Sequence, residues 1–239
     1  MWELYWIYYI LGIVMIPGIV IGIWAQIRVT TTFNEYNKIE TKHGVSASKV
    51  ARFMLDAGGC YDTKVNQVAG ELTDHFNPKT NTVSLSQSVH DQSTIAAVGV
   101  TAHEIGHVFQ HREKYAPMRV RNFLVPVINF TSFLVWPMLF IGIILEFTYW
   151  LTAANVLIYI AIGLYALNTI FCLITLPIEL NASKRAEKML LSTGELDEEE
   201  IKGVKKVLNA AAYTYVAALV TSILSLLRLI LSIAMIRKD

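Results

Sequence analysis

Four long runs of apolar residues dominate the pattern of hydrophobic and polar positions along this chain. They cover residues 4–25, 123–145, 151–176 and 210–236, and Arg228 is the only charged residue within them. Each run reaches the roughly 20 residues that a helix needs to cross the hydrocarbon core of a bilayer. The pattern therefore predicts a mainly α-helical membrane protein with four transmembrane helices, the first of them a retained anchor rather than a cleaved signal peptide.

The polar segment at residues 26–122 carries shorter patterns that are typical of a small α+β domain. Periodic apolar residues with cap and glycine signals predict helices, and a turn at residues 77–81 separates two predicted strands. The predicted helices are Arg28–Lys42, Ala47–Ala57 (with Ser46 as cap) and Gln92–His111 (with Ser93 as cap), and the predicted strands are Val65–Phe76 and Thr82–Val89.

The second polar segment, residues 177–209, predicts two further helices. Pro177 suits either the first turn of a helix or a kink at the membrane surface, and the helix that follows it is expected to end near Gly194. Asp197 and the three glutamates after it open the next helix, because acidic residues are favourable at a helix N-terminus. We expect this last helix to continue without a break into the fourth span.

The stretch that points to a chemistry is His103-Glu104-Ile105-Gly106-His107, an H-E-x-x-H sequence within the helix predicted at Gln92–His111. Residues four apart lie on one face of a helix, so the imidazoles of His103 and His107 can converge on one ion. Glu104 is rotated by about 100°, which keeps it off the ion but beside a water bound there. Zinc lowers the pKa of such a water to about 7, and the Glu104 carboxylate can accept its proton as the water attacks a peptide carbonyl.

A catalytic zinc site needs a third protein ligand, which must lie on the same side of the membrane as the histidines. The second and third spans return the chain to that side, so residues 177–209 qualify. Glu179 is favoured because a span delivers it to the membrane surface, and because Ala182 and Gly106 would let the two helices approach closely. Glu187, eight residues on, shares roughly the same face and stays open as an alternative. Glu195 and the acidic cluster at residues 197–200 also stay open, although they lie on more polar stretches.

Composition and charge agree with a membrane protein. Hydrophobic residues make up 54% of the 239 and charged residues 16%, whereas a soluble domain carries about a quarter charged residues. Eleven Lys and Arg residues fall at 26–122 and six at 177–209, while only Arg237 and Lys238 follow the last span. Because positive charge stays in the cytoplasm, we expect both polar segments to be cytoplasmic and both termini external. The net charge of +1 gives no indication of nucleic-acid binding.

Several short sequences around and beyond the H-E-x-x-H stretch form a wider pattern. They are Val68-Ala69-Gly70-Glu71-Leu72-Thr73-Asp74-His75-Phe76, Leu85-Ser86, Ala102-His103-Glu104-Ile105-Gly106-His107, and Pro177-Ile178-Glu179 followed by Ala182-Ser183-Lys184-Arg185-Ala186. Together they resemble the YugP-type neutral zinc metallopeptidases of bacterial membranes, over nearly the whole chain. The resemblance implies a small zincin-like domain with a gluzincin-like site, in which His103, His107 and Glu179 bind Zn²⁺ and Glu104 is the catalytic base.

The layout is more distantly similar to the HtpX and CAAX-prenyl endopeptidases. In those families an aspartate follows the third-ligand glutamate by four residues, and here that position is Ser183. A hydroxyl orients a histidine less firmly than a carboxylate does. By the same analogy, Thr82–Val89 resembles the edge strand on which zincins lay an extended substrate.

The function predicted from these features is that of a zinc-dependent endopeptidase in the cell membrane. Its site would lie at the cytoplasmic face, and its substrates would be proteins or peptides, membrane proteins among them, with the oligomeric state open. One alternative is a site-2-type intramembrane metalloprotease, which is disfavoured because polar residues at Gln110–Lys114 are costly at bilayer depth. The other is a non-catalytic scaffold or assembly factor with a structural metal site. Glu104 argues against it, because a structural site has no use for a free carboxylate beside the metal.

Overall fold

A computed structural model describes residues 12–147 and 150–236, and the first part of the predicted anchor, residues 4–11, lies outside them. Six helices and one three-stranded sheet make up the described chain. In chain order they are α1 (Ile16–Tyr36), α2 (Ala47–Ala57), β1 (Lys64–Val68), β2 (His75–Asn77), β3 (Thr82–Ser86), α3 (Ile95–Arg112), α4 (Ala116–Phe147), α5 (Leu151–Thr193) and α6 (Glu198–Ile236). The prediction of a mainly helical protein with a small sheet is confirmed.

The chain divides into two compact units. Of the described residues, one unit contains 12–24, 120–147, 150–176 and 215–236, and the other contains 25–119 and 177–214. The first unit therefore draws on the apolar runs of the sequence, and the second draws on its two polar segments.

The apolar unit is built from helices that suit a bilayer. Within the described residues, four helical stretches are long and apolar enough to cross a membrane: Ile16–Tyr36, Ala116–Gly142, Asn155–Thr193 and Glu198–Leu231. Large apolar side chains such as Phe133, Phe140 and Tyr159 are more than half exposed on them. A contiguous apolar surface of this kind is unfavourable in water and favourable in lipid.

The polar unit contains the sheet, whose strand order is β1-β3-β2. Strand β1 is parallel to β3, and β2 is antiparallel to it. The prediction of one continuous strand at Val65–Phe76 is wrong, because the chain reverses between β1 and β2 with Gly70 at φ +105° and Leu72 at φ +53°. The prediction that Thr82–Val89 is an edge strand is also wrong. Its strand, β3, is central and has a hydrogen-bonded neighbour on each side.

A carboxylate holds this reversal of the chain in place. Asp74 accepts a hydrogen bond from the backbone N–H of Ser86 at 2.7 Å and another from the Ser86 hydroxyl at 3.0 Å. Ser86 ends strand β3 and is completely buried. The two hydrogen bonds therefore satisfy polar groups that water does not reach. Asp74 thus has a structural role in the Val68–Phe76 sequence.

Both polar segments contribute to the core of this unit. Met54, Leu85 and Ile105 come from the first segment, and Leu190 and Val204 come from the second. None of these five residues is exposed to solvent. Because a small domain needs most of its apolar side chains to form one core, the two segments fold as one unit.

The ends of the two short helices differ in part from the prediction. Helix α2 begins and ends where it is predicted to, but the Ser46 side chain makes no capping hydrogen bond. Helix α3 is capped by Thr94 rather than by Ser93, and the Thr94 hydroxyl accepts a hydrogen bond from the N–H of Ala97 at 3.2 Å.

Two long helices pass from an apolar run into the polar unit. Helix α5 continues through Pro177, so Pro177 lies inside the helix rather than in its first turn. Proline cannot donate the hydrogen bond of a helix interior, and the residue that follows it, Ile178, is completely buried. Helix α6 begins with reciprocal hydrogen bonds between Asp197 and Glu200, each at 2.8 Å from backbone N–H to carboxylate. It continues into the fourth apolar run, as predicted.

Candidate metal centre

Helix α3 forms the centre of the polar unit and carries both histidines of the H-E-x-x-H stretch. Fourteen of its eighteen residues are buried, so packing on all sides fixes the rotation of the helix about its axis. His103 and His107 consequently face the same way. Their ring centroids are 4.8 Å apart, and the ring planes are inclined by 87°.

Glu179 of helix α5 meets these two imidazoles. Its Oε2 atom lies 3.1 Å from Nε2 of His103 and 3.5 Å from Nε2 of His107. Only 2% of the Glu179 side chain is exposed, and a carboxylate so far removed from water is costly unless compensating charges surround it. Among the residues that the structure describes, these three are the one group of metal-ligating side chains whose donor atoms all lie within 4.8 Å of one another.

The chemistry of these donors fits a zinc ion. Two imidazole nitrogens with one carboxylate oxygen are a frequent ligand set of catalytic zinc. With zinc–ligand bonds of about 2.0–2.2 Å, tetrahedral ligand atoms lie about 3.3–3.6 Å apart. The separations of 3.1 and 3.5 Å between Glu179 and the two imidazoles are close to that range. Three protein ligands would leave one position of the ion for water or substrate.

Electrostatics at His107 also favours a positive charge in the site. Burial lowers the pKa of the imidazole, but the carboxylates of Glu179 and Glu104 stabilise the imidazolium and outweigh burial, so the pKa of His107 is raised. A divalent cation would compensate the carboxylates in place of the proton, because zinc binds the deprotonated ring.

Glu104 differs from Glu179 in its surroundings. It is only 9% exposed, and its carboxylate has no hydrogen-bond partner among the residues that the structure describes. Its negative charge nevertheless acts on His107. A shielded carboxylate without a fixed partner is suited to hold a water molecule and to accept its proton.

Each histidine is held at its second ring nitrogen by a neighbouring side chain. Nδ1 of His103 lies 3.1 Å from the Ser183 hydroxyl, and Nδ1 of His107 lies 2.9 Å from Oε1 of Gln110. Ser183 follows Glu179 by four residues, at the position where the more distant families carry an aspartate. Such contacts fix the direction in which a metal-ligating ring points.

Backbone contact between α3 and α5 brings these groups together. A methyl group on Gly106 would stand 2.4 Å from the carbonyl oxygen of Ala182, so no side chain can be accommodated between the helices here. Ala182 and Ala186, on the same side of α5 as Glu179, are completely buried. The close approach that the sequence predicts from these small residues is confirmed.

The other acidic and histidine candidates have different partners. Glu187, the alternative third ligand, forms an ion pair with Lys205 at 3.5 Å. The His111 ring packs against Phe76 with the ring centroids 5.8 Å apart. His43, His75 and His90 are hydrogen-bonded to Glu195, Thr73 and Asp91 respectively.

Sequence reasoning did not identify the hydrogen-bonding group beside His107. Gln110 is completely buried, and its amide contacts His107 on one side and helix α5 on the other. The spacing offers a signal, because residues three apart on a helix lie side by side. A glutamine three residues after the second histidine, in a helix that is mostly apolar, could have been recognised as the partner of His107.

Comparison with known proteins places the chain in a family. Residues 11–234 match the family described as "Putative neutral zinc metallopeptidase", and the chain therefore belongs to this family. It is 42% identical over 216 residues to the Bacillus subtilis (strain 168) protein named "Putative membrane protease YugP". The aligned residues cover 90% of this chain and 93% of that protein. The resemblance inferred from the sequence is thereby confirmed. No solved structure matches the chain.

The contact at Gly106 predicts a specific effect of one methyl group. In Gly106→Ala the new methyl would lie 2.4 Å from the Ala182 carbonyl oxygen, so α3 and α5 must separate or distort. Such overpacking costs about 1–3 kcal/mol. We expect a lower thermal unfolding temperature in detergent and a lower zinc content, since the separation moves Glu179 away from the histidines.

Gly99→Ala in the same helix is the matched control. Its methyl would stand 3.4 Å from the Val204 side chain, an ordinary contact, and alanine is favoured over glycine in a helix by up to about 1 kcal/mol. We expect this variant to have an unfolding temperature equal to or above that of the wild type and to keep its zinc content. Equal behaviour of the two alanine variants would contradict the role given to the Gly106 contact.

Proposed function

We propose that this protein is a membrane-embedded zinc endopeptidase that hydrolyses peptide bonds at the cytoplasmic face of the cell membrane. The observation that carries the proposal is the convergence of His103, His107 and Glu179 on one point, within a chain that belongs to a zinc metallopeptidase family. The four apolar helices and the name of the Bacillus subtilis relative support a location in a membrane.

In this proposal the three converging side chains hold the metal, as in a gluzincin. A zinc ion bound there supplies a Lewis acid that lowers the pKa of water to about 7 and polarises a peptide carbonyl. Glu179 contributes a negative charge that is already buried, while His103 and His107 contribute neutral nitrogens. Helices α3 and α5 hold all three in a packed core, so little reorganisation is needed when the ion binds.

Glu104 is the proposed catalytic base. It follows His103 directly on α3, and its carboxylate is shielded but without a hydrogen-bond partner in the described part of the chain. It can therefore accept a proton from the attacking water at a carboxylate oxygen, and return that proton to the amine that leaves when the peptide bond breaks. Gln110 and Ser183 hold the histidine rings while this proton moves.

The substrates that this reaction implies are proteins or peptides, with membrane proteins among them, since the enzyme itself lies in the bilayer. No nucleic acid is implied by a chain of net charge +1.

The intramembrane alternative of the site-2 type is disfavoured. It requires the H-E-x-x-H helix to lie in the bilayer. Helix α3 is not among the four stretches of the described residues that are long and apolar enough to cross a membrane. It also ends in Gln110-His111-Arg112-Glu113-Lys114, and such residues are costly at bilayer depth.

Replacement of Glu179 tests the proposed ligand set. Glu179→Gln keeps the shape of the side chain and removes its charge, so we expect zinc affinity to fall by at least about 10-fold and peptide cleavage to be lost. Zinc content measured by metal analysis should fall likewise in His103→Ala and His107→Ala. Glu187→Gln is the matched control on the same helix and should keep both zinc and activity. Loss of zinc from the Glu187 variant but not from the Glu179 variant would show that the third ligand has been misassigned.

Replacement of Glu104 separates an enzyme from a scaffold. Glu104→Gln should retain one zinc per chain, because Glu104 is not a proposed ligand. Cleavage of a peptide library should fall by about 10²–10⁴-fold, which is the usual contribution of a general base. Glu71→Gln, at an exposed position, should behave as the wild type. Unchanged cleavage by the Glu104→Gln protein would refute the role of Glu104 as the catalytic base. A non-catalytic scaffold would keep its cellular function in the Glu104→Gln variant.

The proposed orientation can be tested by cysteine labelling in intact cells. Cys60 and Cys172 are free thiols and are first replaced by alanine. Single cysteines are then introduced at Asn81, in the polar unit, or at Asp239, which lies outside the described residues. A membrane-impermeant reagent should label position 239 and not position 81, because seventeen Lys and Arg residues lie in the two polar segments and two follow the last span. Labelling of position 81 alone would show that the orientation is the opposite of the proposed one.

A further inference from the structure

Gln110 of helix α3 is completely buried. Both its amide oxygen and its NH₂ group are hydrogen-bonded to other side-chain or backbone atoms. The proposed ligands and base do not account for it. We propose that Gln110 is a positioning residue, which fixes the proton of the His107 imidazole on Nδ1 and leaves the Nε2 lone pair directed at the metal position. This inference rests on the proposed zinc site and adds a residue to it.

The direction of the Gln110 amide follows from a chain of donors and acceptors. The Nε–H of Arg185 can only donate, and it lies 2.7 Å from Asn181, so the atom of Asn181 that receives it is the oxygen Oδ1. That same oxygen lies 3.0 Å from one end of the Gln110 amide. The backbone carbonyl oxygen of Ile178 lies 2.8 Å from the same end. Two acceptors at one end identify it as the NH₂ group.

The other end of the amide is therefore the carbonyl oxygen Oε1. It lies 2.9 Å from Nδ1 of His107 and can only accept, so Nδ1 must carry a hydrogen. In the neutral imidazole this leaves Nε2 without a hydrogen. Nε2 is the atom that faces Glu179, at 3.5 Å. The tautomer of His107 is thus determined by contacts on the far side of the ring.

His103 provides a contrast within the same site. Its Nδ1 lies 3.1 Å from the Ser183 hydroxyl, and a hydroxyl can donate or accept, so it permits either tautomer. Of the two rings, only that of His107 has its proton position determined by an acceptor. Fixing one ring in the metal-binding tautomer removes a competing state, which would otherwise reduce the apparent affinity for the ion.

Gln110 also attaches helix α3 to helix α5 beside the third ligand. Ile178, whose carbonyl accepts from the Gln110 amide, directly precedes Glu179. A purely structural role for Gln110 would depend on this NH₂ contact, whereas the proposed role depends on the carbonyl oxygen. The two roles therefore predict different effects of variants that keep one end of the amide and remove the other.

Zinc affinity of the purified full-length protein, measured by competition with a metal chelator, tests the proposal. Gln110→Met keeps the length of the side chain but has neither the amide oxygen nor the NH₂ group. We expect its zinc affinity to fall about 10–100-fold, as it does when other hydrogen-bonding partners of metal-ligating histidines are removed. Gln110→Glu keeps an oxygen acceptor for Nδ1–H and loses the NH₂ donor. We expect it to unfold at a lower temperature but to keep zinc affinity within about threefold of the wild type, because a carboxylate orients a metal-ligating histidine well. Gln87→Met, at an exposed position, is the control and should match the wild type.

The outcomes separate this inference from the zinc site on which it rests. A wild type that binds no zinc overturns the proposed function itself. Two results with a zinc-binding wild type overturn only the role of Gln110. One is an unchanged zinc affinity of Gln110→Met, and the other is a zinc affinity of Gln110→Glu that falls as much as that of Gln110→Met. If Gln110→Met does not fold, Gln110→Glu decides alone: retained affinity supports the positioning role, and a loss of about 10-fold or more contradicts it.

Discussion

The candidate metal centre depends on one contact, the approach of the α3 and α5 backbones at Gly106 and Ala182. The 2.4 Å that would separate a methyl group on Gly106 from the Ala182 carbonyl oxygen leaves no room for any larger residue. Glu179 lies one turn before Ala182, and His107 directly follows Gly106. A helix separation set by backbone contact therefore brings a carboxylate to within 3.1–3.5 Å of two imidazoles. Residues 76 apart in the sequence form one site because both helices carry small residues where they cross.

The same contact places a charged group where water does not reach. With 2% of its side chain exposed, the Glu179 carboxylate is stabilised by His103 and His107, whose ring nitrogens lie beside it. The polar groups around it are also paired, with Gln110 and Ser183 each bonded to one ring. A buried network of this kind tolerates few alternatives, since each lost partner leaves an unsatisfied group. Such constraints hold the rings and the carboxylate in a fixed arrangement, which a metal-dependent hydrolase requires.

The parts of this structure that could be predicted from the sequence are those with a local signal. The i, i+4 spacing of His103 and His107 and the helix Ala47–Ala57 follow from helical periodicity, and Glu179 was favoured because small residues surround it. The division of Val65–Phe76 into β1 and β2 was missed because its cause is tertiary, a carboxylate of Asp74 bonded to Ser86. The course of α5 through Pro177 does not follow from the sequence, because local propensity disfavours a proline inside a helix. The bonds of Gln110 to Ile178 and Asn181 join distant segments, and only the three-residue spacing to His107 could have indicated part of them.

In the proposed site His103, His107 and Glu179 together bind one zinc ion. Anomalous X-ray scattering at the zinc absorption edge, from crystals of the purified protein, tests it most directly because it locates the metal without reference to activity. We expect one strong peak in contact with His103 Nε2, His107 Nε2 and a carboxylate oxygen of Glu179, at about 2.0–2.2 Å from each. A peak bound to other residues, or no peak in protein that contains a full equivalent of zinc, would contradict it.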